Sequence, residues 1–76
     1  MVKVYSINDC PWCEKVKKYL KIKNVEFEEH NIEENDDDRD ACYELTGDTM
    51  VPITTANGKD YVLGFDKAKL DEMLGL

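Results

Sequence analysis

Val2-Lys3-Val4-Tyr5-Ser6-Ile7-Asn8-Asp9-Cys10-Pro11-Trp12-Cys13 is the stretch that decides the fold of this chain. Its opening residues are β-rich, and Lys3 to Ser6 alternate as a strand does, with Val2, Val4 and Ser6 on one face. The residues after it, Glu14 to Lys23, are strong helix formers. Two thiols three residues apart therefore stand at a strand-to-helix junction. A helix start offers unpaired N–H groups and roughly half a positive charge, which favours a thiolate over a thiol. Pro11 suits the first helical position, where its missing donor costs nothing. That puts Cys10 at the N-cap and Cys13 one turn in, a spacing at which a disulfide can open and close with little backbone movement. The pair reads as a redox dithiol. The same spacing is also half of a zinc site, but zinc takes four ligands, usually from a second such pair or two histidines. Only Cys42 and His30 remain, on separate expected elements, so no metal is expected.

Outward from the dithiol, Cys13, Val16 and Leu20, with Tyr19 beside them, form the buried stripe of the first helix, and Asn24 ends it. Val25 to Glu28 resumes with period two, closed by Ile32. A second helix is expected from about Asp36 to Thr46, with Ala41, Cys42 and Leu45 as its apolar face and Gly47 as its stop. Val51 to Ala56 and Asp60 to Leu63 read as two strands joined through Asn57-Gly58, residues that tolerate positive φ. Asp66 caps a last helix with Leu70, Met73 and Leu74 inward. The order βαβ, α, β-hairpin, α implies a parallel pair with a right-handed crossover, extended by antiparallel strands. The fold class expected is α/β: a four-stranded mixed sheet flanked by three helices.

Seventy-six residues make one domain, 1–76, near the lower limit for a chain that buries its own core. At 42% hydrophobic and 36% charged residues it reads as a soluble globular chain. No stretch approaches the ~20 apolar residues of a membrane span, and no basic-then-apolar signal opens it. An odd cysteine count fits a cytoplasmic protein with one reactive pair better than a secreted disulfide scaffold. The net charge of −7 argues against a nucleic-acid partner. Neither membrane nor nucleic acid is expected as a partner, and the chain is expected to be a monomer. Charge is unevenly spread: five lysines (Lys15, Lys17, Lys18, Lys21, Lys23) lie on the first helix, and nine acids fall between residues 26 and 40. Both runs read first as solvated faces, and the lysines add positive potential near Cys10.

Strand, Cys10-Pro11-Trp12-Cys13, helix, Met50-Val51-Pro52 and Gly64-Phe65-Asp66, in that order, resemble the glutaredoxin family of the thioredoxin-like fold over essentially the whole chain. The resemblance implies a thiol–disulfide oxidoreductase in which Cys10 is the nucleophile and Cys13 the resolving thiol, the two alternating with a Cys10–Cys13 disulfide. It implies that Pro11, Trp12 and Pro52 shape the site, that the Val51–Pro52 bond is cis, and that Val51 offers its backbone to a bound peptide or to glutathione. Met50, Val51, Pro52, Gly64, Phe65 and Asp66 would be the glutathione contacts, with the γ-glutamyl carboxylate received at the start of the last helix. Glutathione would be the co-substrate, with no tightly bound cofactor. Disulfide-bearing proteins such as ribonucleotide reductase or methionine sulfoxide reductase would be the substrates.

The chain also departs from that pattern. Ile7 stands where many glutathione-using members carry Lys or Arg for the glycyl carboxylate, Met50 replaces Thr, and Leu63-Gly64-Phe65-Asp66 lacks a Gly and a Cys of the family's turn. Tyr5 to Cys10 and Gly64-Phe65 look closer to the NrdH redoxins, hydrogen donors of ribonucleotide reductase that thioredoxin reductase reduces. A further reading is a glutathione-dependent iron–sulfur module on Cys10, against which Pro11 argues. Of the remaining residues, Cys42 is expected to be a small buried hydrophobe and His30 to have no catalytic role. Trp12 is expected to shield the reactive surface. Arg39, the only arginine, could bind a substrate carboxylate through its planar fork, but a surface ion pair among so many acids is the expectation.

Overall fold

All 76 residues are described by the computed structural model, which runs β1 (Val2–Ser6), α1 (Pro11–Ile22), β2 (Phe27–Asn31), α2 (Asp36–Thr46), β3 (Ile53–Thr55), β4 (Tyr61–Leu63) and α3 (Lys67–Leu74). The sheet order is β2-β1-β3-β4. β1 pairs in parallel with β2 and antiparallel with β3, and β3 and β4 are antiparallel. This is the thioredoxin-like arrangement expected from the sequence.

β1 is covered on both faces, which a half-exposed strand pattern does not foresee. Val4 packs with Val16 and Leu20 of α1, while Tyr5 packs with Ile32, Ile53 and Cys42 of α2. A third cluster, Tyr19, Val62 and Leu70, closes α1 and α3 over the β3–β4 end. No helix is long and apolar enough to cross a membrane.

The helix ends obey local chemistry. Asn35 and Asp66 accept from the backbone N–H three residues on, as N-cap side chains do. Gly47 and Asn24 end α2 and α1 with φ of 76° and 58°, left-handed values that glycine and asparagine adopt at least cost.

Several expectations need correction. The third strand is Ile53–Thr55 rather than Val51–Ala56, because Pro52 has no N–H to give a ladder and Ala56 belongs to the turn. The second strand starts at Phe27 and runs to Asn31. The β3–β4 connection is longer than a two-residue turn: Asn57 accepts through Oδ1 from the N–H groups of Lys59 and Asp60, and Thr55 Oγ1 donates to the Asp60 carbonyl. That side-chain bonding holds Asn57 at negative φ, leaving Gly58 alone with a positive one. Ala41 is exposed; Cys42 and Leu45 carry the inner face of α2.

Candidate active site

β1 delivers the chain to a short loop, Ile7 to Asp9, and α1 then begins at Pro11. Cys10 is the N-cap of α1, extended at φ −113°, and its Sγ accepts from the Cys13 N–H at 3.1 Å. The two sulfurs are bonded to each other, with Cα atoms 5.2 Å apart. Cys10 is half-buried, whereas Cys13 has no exposed surface and belongs to the α1 stripe that faces the sheet. One cysteine is therefore partly open to solvent at a helix start, and the other is enclosed one turn further along.

The loop ahead of Cys10 is tied down from the end of β2 and the turn that follows it. The Asn8 N–H donates to Glu33 Oε1 at 2.7 Å, and Asn31 Nδ2 donates to Asn8 Oδ1 at 3.0 Å. Asp9 takes a positive φ of 53°, which asparagine and aspartate tolerate better than most residues.

Opposite the dithiol end of β1 lies the segment that enters β3. Tyr5 pairs with Ile53, so continued register puts Ile7 level with Val51, and both pack against the cluster around Tyr5. The Val51–Pro52 bond is cis and Pro52 is buried. No hydrogen bond is made by the Val51 backbone. The Gly64 N–H donates to the Pro52 carbonyl at 2.8 Å, joining the Gly64-Phe65-Asp66 turn to the proline segment. Within that turn Phe65 faces inward, edge-on to Tyr19 at 5.8 Å, while Asp66 Oδ1 caps α3. The fold thus gathers Cys10, Cys13, Val51, Pro52, Gly64 and Asp66 at one end of the sheet; Phe65 supports the turn from below.

Trp12 is 56% exposed, and Lys15 Nζ sits 4.2 Å from its ring centroid. Met50 is 55% exposed beside Val51. Arg39 makes no ion pair, contrary to expectation; Asp38, beside it on α2, pairs with His30. Instead, Arg39 lines a cavity of about 350 Å³ with Ile7, Ile32, Glu33, Asp36 and Thr49.

Two groups that sequence reasoning passed over hold the frame. Ser6, fully buried, donates to Glu29 Oε2 at 2.9 Å, and Lys17 Nζ donates to the same oxygen at 2.5 Å and pairs with Glu14 at 2.6 Å. Hydrogen bonding from Lys17 holds the Glu29 carboxyl below its usual range. The lysine is itself raised, its partners Glu14 and Glu29 outweighing the cost of burial. Lys17 is therefore spent on structure and adds little free charge near Cys10. A serine ending a strand and an acid on the neighbouring strand carry no local motif, so only the register of β1 on β2 could have revealed them. Cys42 is buried, its thiol pushed up by burial, and His30 lies between Asp38 (2.9 Å) and Glu28 (3.4 Å) against the Tyr5 ring.

Comparison with known proteins points one way. The glutaredoxin family model matches residues 2–61. An uncharacterized glutaredoxin-like 8.6 kDa protein in the rubredoxin operon of Clostridium pasteurianum is 36% identical over 74 residues, covering 97% of each chain. Among solved structures, the thioredoxin-like protein BC3987 is 30% identical with a TM-score of 0.86, over 96% of this chain and 99% of that one. Methanoredoxin of Methanosarcina acetivorans is 26% identical with a TM-score of 0.89, over 99% of this chain and 84% of that one. From β1 through the dithiol helix to the proline segment, sequence and architecture agree, and the chain belongs to the glutaredoxin family.

Proposed function

We propose that this protein is a thiol–disulfide oxidoreductase that reduces protein disulfides, glutathione mixed disulfides or both through Cys10 and Cys13. The carrying observation is the asymmetry of the pair: Cys10 is reachable at a helix N-cap and Cys13 is wholly buried one turn below. Cys10 thiolate attacks one sulfur of the substrate disulfide, forming a mixed disulfide and releasing the other sulfur as thiolate. Cys13 loses its proton and attacks Cys10 Sγ, releasing the second substrate sulfur as a thiolate, which takes up a proton as the Cys10–Cys13 bond forms. Two electrons pass from the dithiol to the substrate. Two glutathiones return them, leaving as glutathione disulfide.

The unpartnered Val51 backbone favours an extended substrate laid beside Pro52. Trp12 and Met50 flank that approach, and the Gly64–Asp66 turn with the α3 start is the proposed seat for the γ-glutamyl end. Met50, Val51, Pro52, Gly64, Phe65 and Asp66 are thus proposed as the contact set, Phe65 acting by holding the turn. The protein is proposed to work as a single-domain cytoplasmic monomer without a tightly bound cofactor.

One observation favours a second reading, the NrdH-type redoxin fed by thioredoxin reductase. Ile7 itself carries no cation, and Glu33 binds its carboxylate to the loop at Asn8, with Arg39 the one cation among the residues that line the cavity there. Ribonucleotide reductase would then be the natural acceptor. An NADPH-coupled assay decides, run once with glutathione and glutathione reductase and once with thioredoxin reductase. Turnover in the first supports the glutaredoxin reading. Turnover in the second alone replaces it with the redoxin.

A further inference from the structure

The cavity beside the reactive loop has a composition that bears on which disulfides the site accepts. It is lined by Ile7 and Ile32, by Thr49, and by three charged side chains, Glu33, Asp36 and Arg39. The lining thus carries two carboxylates and one guanidinium, a net negative balance, and the guanidinium pairs with neither acid. Glu33 is not a wandering surface acid: its Oε1 accepts the Asn8 N–H at 2.7 Å, and its own N–H donates to Asn31 Oδ1 at 2.9 Å. Asn31 Nδ2 in turn holds Asn8 Oδ1. The carboxylate is therefore fixed to the loop that leads into Cys10, two residues before the nucleophile.

The Val51 backbone is free to pair, and Thr49 precedes it by two residues on the cavity wall. A substrate chain whose cysteine lies on Cys10 and whose backbone pairs with Val51 runs towards Gly64 on one side and along Thr49 and Ile7 on the other. A flanking residue on that second side would come level with the cavity that Glu33 lines.

We infer that Glu33 is a specificity determinant that disfavours disulfides carrying a carboxylate next to the reacting cysteine, so the site prefers neutral or cationic flanks. This rests on the oxidoreductase reading above. Glu33 acts through charge on the bound substrate and takes no part in the sulfur exchange.

The test uses two capped peptides, each carrying one cysteine as a mixed disulfide and identical but for Asp or Asn on both sides of it. Wild-type protein should show kcat/KM about tenfold lower for the Asp peptide, a gap set by like charges a few ångströms apart in partly screened surroundings. The gap should lie in KM and should shrink as salt is raised, since added ions screen an exposed repulsion. Glu33→Gln keeps an acceptor for Asn8 and should bring the kcat/KM values of the two peptides within about twofold of each other. Equal handling by wild type, or a gap that survives Glu33→Gln, would overturn the inference while leaving the oxidoreductase reading intact. Failure to reduce either peptide would overturn both.

Discussion

Cys10 and Cys13 share a functional group and differ in everything around it. A thiolate at the N-cap faces N–H donors and solvent, whereas a buried thiol has neither a counter-charge nor water to support ionisation. Alkylation with iodoacetamide at pH 6, read by peptide mapping of the reduced protein, should label Cys10 ahead of Cys13; the reverse order would exchange their roles. Cys10→Ser should abolish turnover, and Cys13→Ser should retain part of the activity on glutathione mixed disulfides, which needs one thiol only. At Ile7 the missing cation has a measurable consequence. One charge-assisted contact is worth about 1.5–3 kcal/mol, so glutathione turnover should be real with a high KM, and Ile7→Lys should lower that KM by about tenfold or more. Unchanged kinetics would remove the glycyl carboxylate from this part of the site. These residues were legible because each sits in a local motif. Glu33 was not, since its role comes from a hydrogen bond to Asn8 across the chain, and no spacing encodes that.

At the scale of elements, α1 is held to the sheet by an apolar stripe and one polar seam. The stripe, Cys13, Val16, Tyr19 and Leu20, could be read from spacing alone. The seam of Ser6, Glu29 and Lys17 could not, because it depends on which residues the parallel register sets side by side. Its pH dependence has a definite sign. Glu29 has a lowered pKa in the folded state, so its contribution is present above the ordinary value of 4.5 and is lost as pH falls through the folded value. Lys17 has a raised pKa, so its contribution is complete below its ordinary 10.5 and fades as pH rises beyond that. Glu29→Gln should therefore lower stability at neutral pH by about 1 kcal/mol or less, the carboxylate being 43% exposed and its pairing screened by water. Urea titrations at pH 7 and pH 3 check this; a gap as wide at pH 3 would show that charge pairing is not its origin. Strand ends were the least legible elements. β3 is short because Pro52 cannot join a ladder, and the β3–β4 turn grows because Thr55 and Asn57 bond to the backbone around them.

For the whole molecule, the order of elements was readable and fixed the topology, since a strand–helix–strand followed by a hairpin leaves few right-handed arrangements. The double burial of β1 was not, because Tyr5 reads as the outward residue of an alternating strand until α2 is laid over it. The three apolar clusters are linked through β1, which supplies Val4 and Tyr5 to two of them, and α1, which supplies Val16, Leu20 and Tyr19 to two, so no half of the molecule keeps a core without the other. Thermal unfolding should accordingly show one transition, with far-ultraviolet and tyrosine near-ultraviolet circular dichroism giving the same midpoint; separated midpoints would mean two units rather than one domain. The sheet order has a further consequence during synthesis. β1 and the dithiol are made first, yet one neighbour of β1 is β3, which follows only after α2. A ribosome halted just after Thr55 would keep β3 inside its exit tunnel, so the thiols, already made, would emerge with neither Pro52 opposite them nor the β3 edge beside Val4 and Tyr5. Such arrested chains should collect adducts with small thiols and neighbouring proteins that the released protein does not carry.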